Sequence, residues 1–127
     1  MSQGEQKSYQ VYELRRPYRK TSMGGRDETH VFTVEGNDIV EIEPKYTFRS
    51  RSGRHGEDVW VLKSGKYLVV DISRQNKRVD PYRVTVWCYN IMADGTATKR
   101  ELASFYEDTV DMALMRAKEL MYQCISD

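Results

Sequence analysis

The chain has 127 residues, of which 39% are hydrophobic, with 9 Tyr, 3 Phe and 2 Trp among them. That is the length of one domain and enough large side chain for one core without disulfide or metal staples. Lys and Arg number 20 against 19 Asp and Glu, a net charge of +1, so no global field draws the chain to nucleic acid or to an anionic membrane, and no apolar run approaches the roughly 18–20 residues of a membrane-spanning helix.

Residues 1–8 are polar and aperiodic and read as a mobile tail, and residues 9–127 read as a single α+β domain, with strands over 9–104 and a helix over 108–125. Met1 to Lys7 lacks the apolar stretch of a secretory signal, which makes the cytoplasm the expected location. Tyr9 to Leu14 alternates as an edge strand does, and Pro17 should end it because proline cannot donate to a ladder. A flexible stretch through Met23-Gly24-Gly25 follows.

From Thr29 to Thr85 the sequence is almost wholly strand-like, rich in β-branched and aromatic residues between turn signals. Thr29–Glu35 and Asp38–Glu43 flank Gly36-Asn37, a pair able to take the positive φ of a tight hairpin. Lys45–Ser50 forms the next strand, ended by the glycine- and charge-rich loop Arg51-Ser52-Gly53-Arg54-His55-Gly56. Asp58–Lys63 and Lys66–Ser73 flank Ser64-Gly65 as a second hairpin. A polar loop over residues 74–81 leads to the longest strand, Tyr82–Met92, which Asp94-Gly95 turns back into a partner near Thr98–Ala103.

The hydrophobic period then changes from two to that of a helix. Val110, Ala113, Leu114, Ala117, Leu120, Met121 and Cys124 share one helical face, with Asp108 as the expected N-cap. No helices separate the strands, so a parallel α/β fold is excluded. The pattern implies about seven strands in a curved antiparallel sheet, open to closure as a half-barrel, with one C-terminal amphipathic helix packed on it. Cys88 and Cys124 occupy apolar positions without metal-ligand spacing and read as buried free thiols, a bridge between them being the lesser alternative.

Charge is segregated along the chain. Residues 45–83 carry ten Lys and Arg against four acids, and residues 26–44 carry one Arg against six acids. Within Lys45–Arg51, alternation puts Tyr46, Phe48 and Ser50 on one face, expected inward, and Lys45, Thr47, Arg49 and Arg51 on the other. In Tyr82–Met92, Val84, Val86 and Cys88 share a core face, opposite Arg83, Thr85, Trp87, Tyr89 and Ile91.

If that second face is open to water, Tyr67, Trp87 and Tyr89 are stacking platforms for bases, each worth about 1–3 kcal/mol, and Arg83 reaches phosphate. Arg15, Arg16, Tyr18, Arg19, Lys20, Lys45, Arg49, Arg51, Arg54, Lys63 and Lys66 complete a candidate surface for single-stranded RNA or DNA. A second core layer or a dimer interface would account for the same rings, and cross-strand salt bridges for the same charges. The alternative function is a protein-interaction module, an accessory or inhibitor subunit that docks through a sheet face or edge strand, as a homodimer or on a larger partner.

Catalysis has little support. His30 shares a strand face with Phe32 and Val34 and reads as structural, and His55 beside Glu57 and Asp58 is the one nuclease-like constellation, without a third ligand in register. No cofactor or metal is expected.

Overall fold

The computed structural model describes residues 10–19, 27–49, 55–75 and 79–126. The expected tail over residues 1–8, the stretch around Met23-Gly24-Gly25 and the basic loop residues 51–54 lie outside that description. Eight strands precede two short helices: β1 (Tyr12–Arg19), β2 (Glu28–Glu35), β3 (Asp38–Ile42), β4 (Tyr46–Arg49), β5 (His55–Leu62), β6 (Gly65–Arg74), β7 (Tyr82–Ile91), β8 (Ala97–Glu107), α1 (Val110–Glu119) and α2 (Met121–Ser126). All strand pairs are antiparallel, as the α+β reading requires. They form a three-stranded sheet ordered β1-β5-β4 and a five-stranded sheet ordered β3-β2-β6-β7-β8, and the two do not close into a barrel. No helix among the described residues is long and apolar enough to cross a membrane.

Two cores sandwich the five-stranded sheet. On one face Phe32, Leu68, Val70, Ile72, Val84 and Val86 pack against Ala113, Ala117, Met121 and Cys124 of the helices. On the other, Val31, Tyr67, Val69, Tyr89 and Ile91 pack against Leu14, Trp60 and Leu62 of the three-stranded sheet. The order is therefore helix, sheet, sheet. Covered on both sides, β6 buries the unbroken run Tyr67-Leu68-Val69-Val70 where a half-solvated strand would alternate. Each such aliphatic side chain contributes about 1.5–3 kcal/mol.

Local chemistry explains most boundaries. Gly36 takes φ of 65° in the β2–β3 hairpin, where any Cβ would be strained. Ser64-Gly65 makes a different connection from the expected hairpin. β5 pairs with β1 and β4, and β6 with β2 and β7, so Gly65, at φ of 143°, turns a corner from one sheet to the other. The Tyr67 hydroxyl donates to the Lys63 carbonyl at 3.0 Å across that corner.

The expected start of β1 at Tyr9 lies outside the described residues; the strand begins at Tyr12 and runs through Pro17, which stands opposite Glu57. It lies at a sheet edge, where a missing N–H is tolerated. Between β7 and β8 the register slips: Val86 faces Ala103 and Trp87 faces Glu101, leaving Leu102 as the extra residue of a bulge.

Thr109, rather than Asp108, caps α1, its hydroxyl accepting from the Met112 N–H at 3.1 Å. The one expected helix is divided at Leu120, whose N–H closes onto the Ala117 carbonyl at 2.9 Å. The cysteines are not free thiols. Cys88 of β7 and Cys124 of α2 form a disulfide, their Cα atoms 5.5 Å apart, because helix packing places both on one buried face.

Candidate functional site

The two sheets are in contact through the second core but diverge beyond it, where the end of β1 and the starts of β2 and β7 leave polar side chains between the layers. A cleft of about 520 Å³ opens there, lined by Arg16, Asp27, Asp71, Arg83, Trp87 and Glu101 among others. Arg16 is its floor. Its Nη2 donates to the Tyr89 hydroxyl at 3.0 Å and lies 3.6 Å from Asp71 Oδ2, while the Thr29 hydroxyl donates to Asp71 Oδ1 at 2.8 Å. Ser73 donates to Asp27 at 3.0 Å and receives Gln75 at 3.2 Å. Buried Arg16 Nε and Asp58 Oδ1, on adjacent strands in register, each lack a hydrogen-bond partner among the described residues.

The expected stacking rings are distributed across three environments. Tyr67 and Tyr89, 8% and 2% exposed, are sealed between the sheets and cannot meet a base. Burial pushes both phenols up from their ordinary ionisation range, against the lowering effect of the Lys63 carbonyl on Tyr67 and of Arg16 on Tyr89. Trp87 is half-buried on the cleft wall, and exposed Arg83 lines the same cleft. The second face of β7, a binding surface only if open to water, is therefore core over Tyr89 and Ile91 and opens toward Arg83, because the three-stranded sheet covers its other end.

Among the described residues the cations do not converge either. Arg15 faces outward and is held by Glu57 at 2.8 Å and Glu13 at 3.1 Å. Those two carboxylates raise the ionisation of its guanidinium. Lys66 lies on the helix-covered face, its Nζ 3.4 Å from the Cys124 carbonyl oxygen. Lys63 is exposed at the corner between sheets, and Lys45 is exposed with its ammonium 5.7 Å from the Tyr46 ring centroid. Tyr18 lines a neighbouring cleft of about 430 Å³ together with Thr47, Asp58 and Trp60. Lys20, Arg51 and Arg54 lie outside the described residues, as do the side chains of Arg19, Arg49 and His55.

The sequence reading missed two exposed rings on β4. Tyr46 and Phe48, expected inward, are 59% and 65% exposed. β4 is an edge strand whose register sets Tyr46 opposite Val59 and Phe48 opposite Glu57, while the inner face of β5 is filled by Trp60, whose indole N–H donates to the Ile42 carbonyl at 2.8 Å. With that position filled, Thr47 meets the cleft and the two rings face water. A signal was available: a short strand, Lys45–Ser50, between Pro44 and a glycine-rich loop can hardly be a central, two-sided strand.

His30 is structural in its contacts. Nδ1 lies 2.9 Å from Glu41 and Nε2 2.9 Å from Glu28. Two acceptor carboxylates match the doubly protonated ring, and although burial lowers its pKa, they outweigh burial and raise it. No group of carboxylates, histidines and thiols suited to a metal ion occurs among the described residues. Comparison with protein-family models, curated proteins and solved structures yields no match.

Proposed function

We propose that the protein is a non-enzymatic interaction module that takes up an extended segment of a protein partner along β4. The supporting observation is the pair of rings, Tyr46 and Phe48, exposed on a sheet edge. Edge strands are ordinarily guarded by charge. β8 carries exposed Lys99, Arg100 and Glu101, β1 carries Glu13 and Arg15, and β3 carries Asp38 and Glu41. β4 presents rings at two of its four positions, beside Arg49. A partner strand adding to the edge of β4 that no described strand occupies would gain main-chain hydrogen bonds from β4 and apolar contact from the rings for every second side chain.

Selection of a displayed peptide library on the full chain tests this reading. Enriched apolar-bearing peptides should lose binding to a Tyr46→Ser, Phe48→Ser double variant that keeps its circular dichroism, and amide shifts should map to β4 and β5. An enriched set indifferent to the double variant, or no enrichment, overturns it.

A second reading, single-stranded nucleic-acid binding, rests on the same rings. Tyr46 and Phe48 lie two residues apart on one strand face, with the Lys45 ammonium beside Tyr46. Salt-sensitive binding of oligo(rU) or oligo(dT) that fails in the double variant would favour it over the peptide. As for location, the disulfide favours an oxidising compartment over the cytoplasm expected from the sequence.

A further inference from the structure

We propose that the cleft between the diverging sheets binds a neutral saccharide, with a pyranose ring stacked on the Trp87 indole and its hydroxyls paired by the charged side chains around it. Strand period builds one wall. Arg83, Thr85 and Trp87 alternate with the core residues Val84, Val86 and Cys88, so all three stand on the cleft face of β7. At about 3.3 Å per residue, the three span roughly 13 Å of strand. Neighbouring strands supply polar side chains in register with them: Asp71 of β6 stands opposite Thr85, Ser73 opposite Arg83, and Glu101 of β8 opposite Trp87. The volume, about 520 Å³, lies within the roughly 300–1,000 Å³ of small-molecule sites.

Charge decides the class of ligand. Asp71 is engaged by Arg16 and Thr29, Asp27 accepts from Ser73, and Glu28 is held by His30. Arg83, Glu101 and the Trp87 indole N–H have no hydrogen bond or ion pair among the described residues. A phosphate would gain Arg83 but meet the carboxylates of Asp27, Asp71 and Glu101, and an organic cation would meet Arg83 and Arg16. An apolar molecule would strip water from these groups and return no hydrogen bond. A sugar hydroxyl is donor and acceptor at once, so it can give to a carboxylate while receiving from a guanidinium. The axial C–H groups of a pyranose make an apolar face of slight positive charge, which suits the negative face of an indole. Trp87 is the one aromatic ring among the described lining residues, half-buried and therefore held in place. β1, which borders the cleft, lies at the opposite edge of its sheet from β4, so this site stands or falls separately from the β4 edge.

The test probes an array of neutral glycans with the full oxidised chain and titrates it with cellobiose, maltose, lactose and diacetylchitobiose, followed in proton–nitrogen correlation spectra. Trp60 and Trp87 supply the chain's only two indole N–H signals. At least one of these sugars should shift the Trp87 signal saturably while that of buried Trp60 stays in place. Trp87→Ala should weaken binding by roughly tenfold or more, and Arg83→Ala by about tenfold. Arg83 is exposed, so its variant reads the site even where Trp87→Ala disturbs the fold. Affinity should change by less than about twofold between low and high salt, because the ligand carries no charge. The Tyr46→Ser, Phe48→Ser double variant should bind the sugar unchanged. Absence of any glycan that moves the Trp87 signal, binding that survives either substitution in the cleft, or tighter binding of adenosine monophosphate or spermidine than of every sugar would each overturn the proposal.

Discussion

Tyr89 decides whether the second face of β7 is a binding platform or a core, and its substitution separates the two quantitatively. The ring is 2% exposed, lies 6.1 Å from the Tyr12 ring and beneath the Lys99 ammonium, and its hydroxyl accepts from Arg16. Removing a buried aromatic ring leaves a cavity and costs about 3–5 kcal/mol, so Tyr89→Ala should lose that much. Tyr89→Phe keeps the packing and deletes one acceptor. Because Arg16 Nε already lacks a partner, depriving Nη2 of another should cost about 1–2 kcal/mol. Urea unfolding followed by far-ultraviolet circular dichroism measures both. With a slope of about 1.5 kcal/mol per molar urea, the midpoint falls by roughly 2–3 M for Tyr89→Ala and near 1 M for Tyr89→Phe. A Tyr89→Ala variant within about 0.5 kcal/mol of the parent would show an exposed ring and refute the two-sheet core.

Three further outcomes follow from the same contacts. His30 has its pKa raised in the folded state, so its contribution to stability is complete below the unfolded value of about 6.5 and fades as pH rises through the higher folded value; urea midpoints at pH 5.5 and 8.5 should differ less in His30→Gln than in the parent. Thr109→Ala removes the cap of α1 and should cost about 1 kcal/mol by the same unfolding measurement, with Asp108→Ala smaller. Joint Cys88→Ala and Cys124→Ala substitution opens a loop spanning 36 positions and should cost roughly 3–4 kcal/mol, which dithiothreitol should reproduce on the parent and leave unchanged in the variant.

Local chemistry made the secondary structure readable. Gly36-Asn37, Asp94-Gly95 and the apolar period after Val110 each specify their element without help from distant residues. Sheet membership was not readable in the same way. Ser64-Gly65 satisfies a hairpin and an inter-sheet corner equally well, and only the competition of β1 and β4 for the edges of β5 decides between them. The site suffered most from this. Alternation correctly grouped Tyr46 with Phe48, and Trp87 with Tyr89, but alternation states which residues share a face and never which face is covered. The three-stranded sheet covers Tyr89 and leaves Trp87 on the cleft wall, while the pairing of Tyr46 with Val59 and Phe48 with Glu57 turns both β4 rings away from Trp60. The disulfide was equally nonlocal, since it depends on where α2 settles along β7.

The run Tyr67-Leu68-Val69-Val70 has a consequence for how the chain is made. Its two coverings come from opposite directions along the chain, β1 and β5 before it and the helices long after. During synthesis one flank of this sticky ribbon can be shielded early, while the other stays bare until residues 110–126 have left the ribosome. A stalled or prematurely terminated product would therefore display Leu68, Val70, Val84 and Val86 together as an apolar plate, a ready target for holdase chaperones or a seed for aggregation.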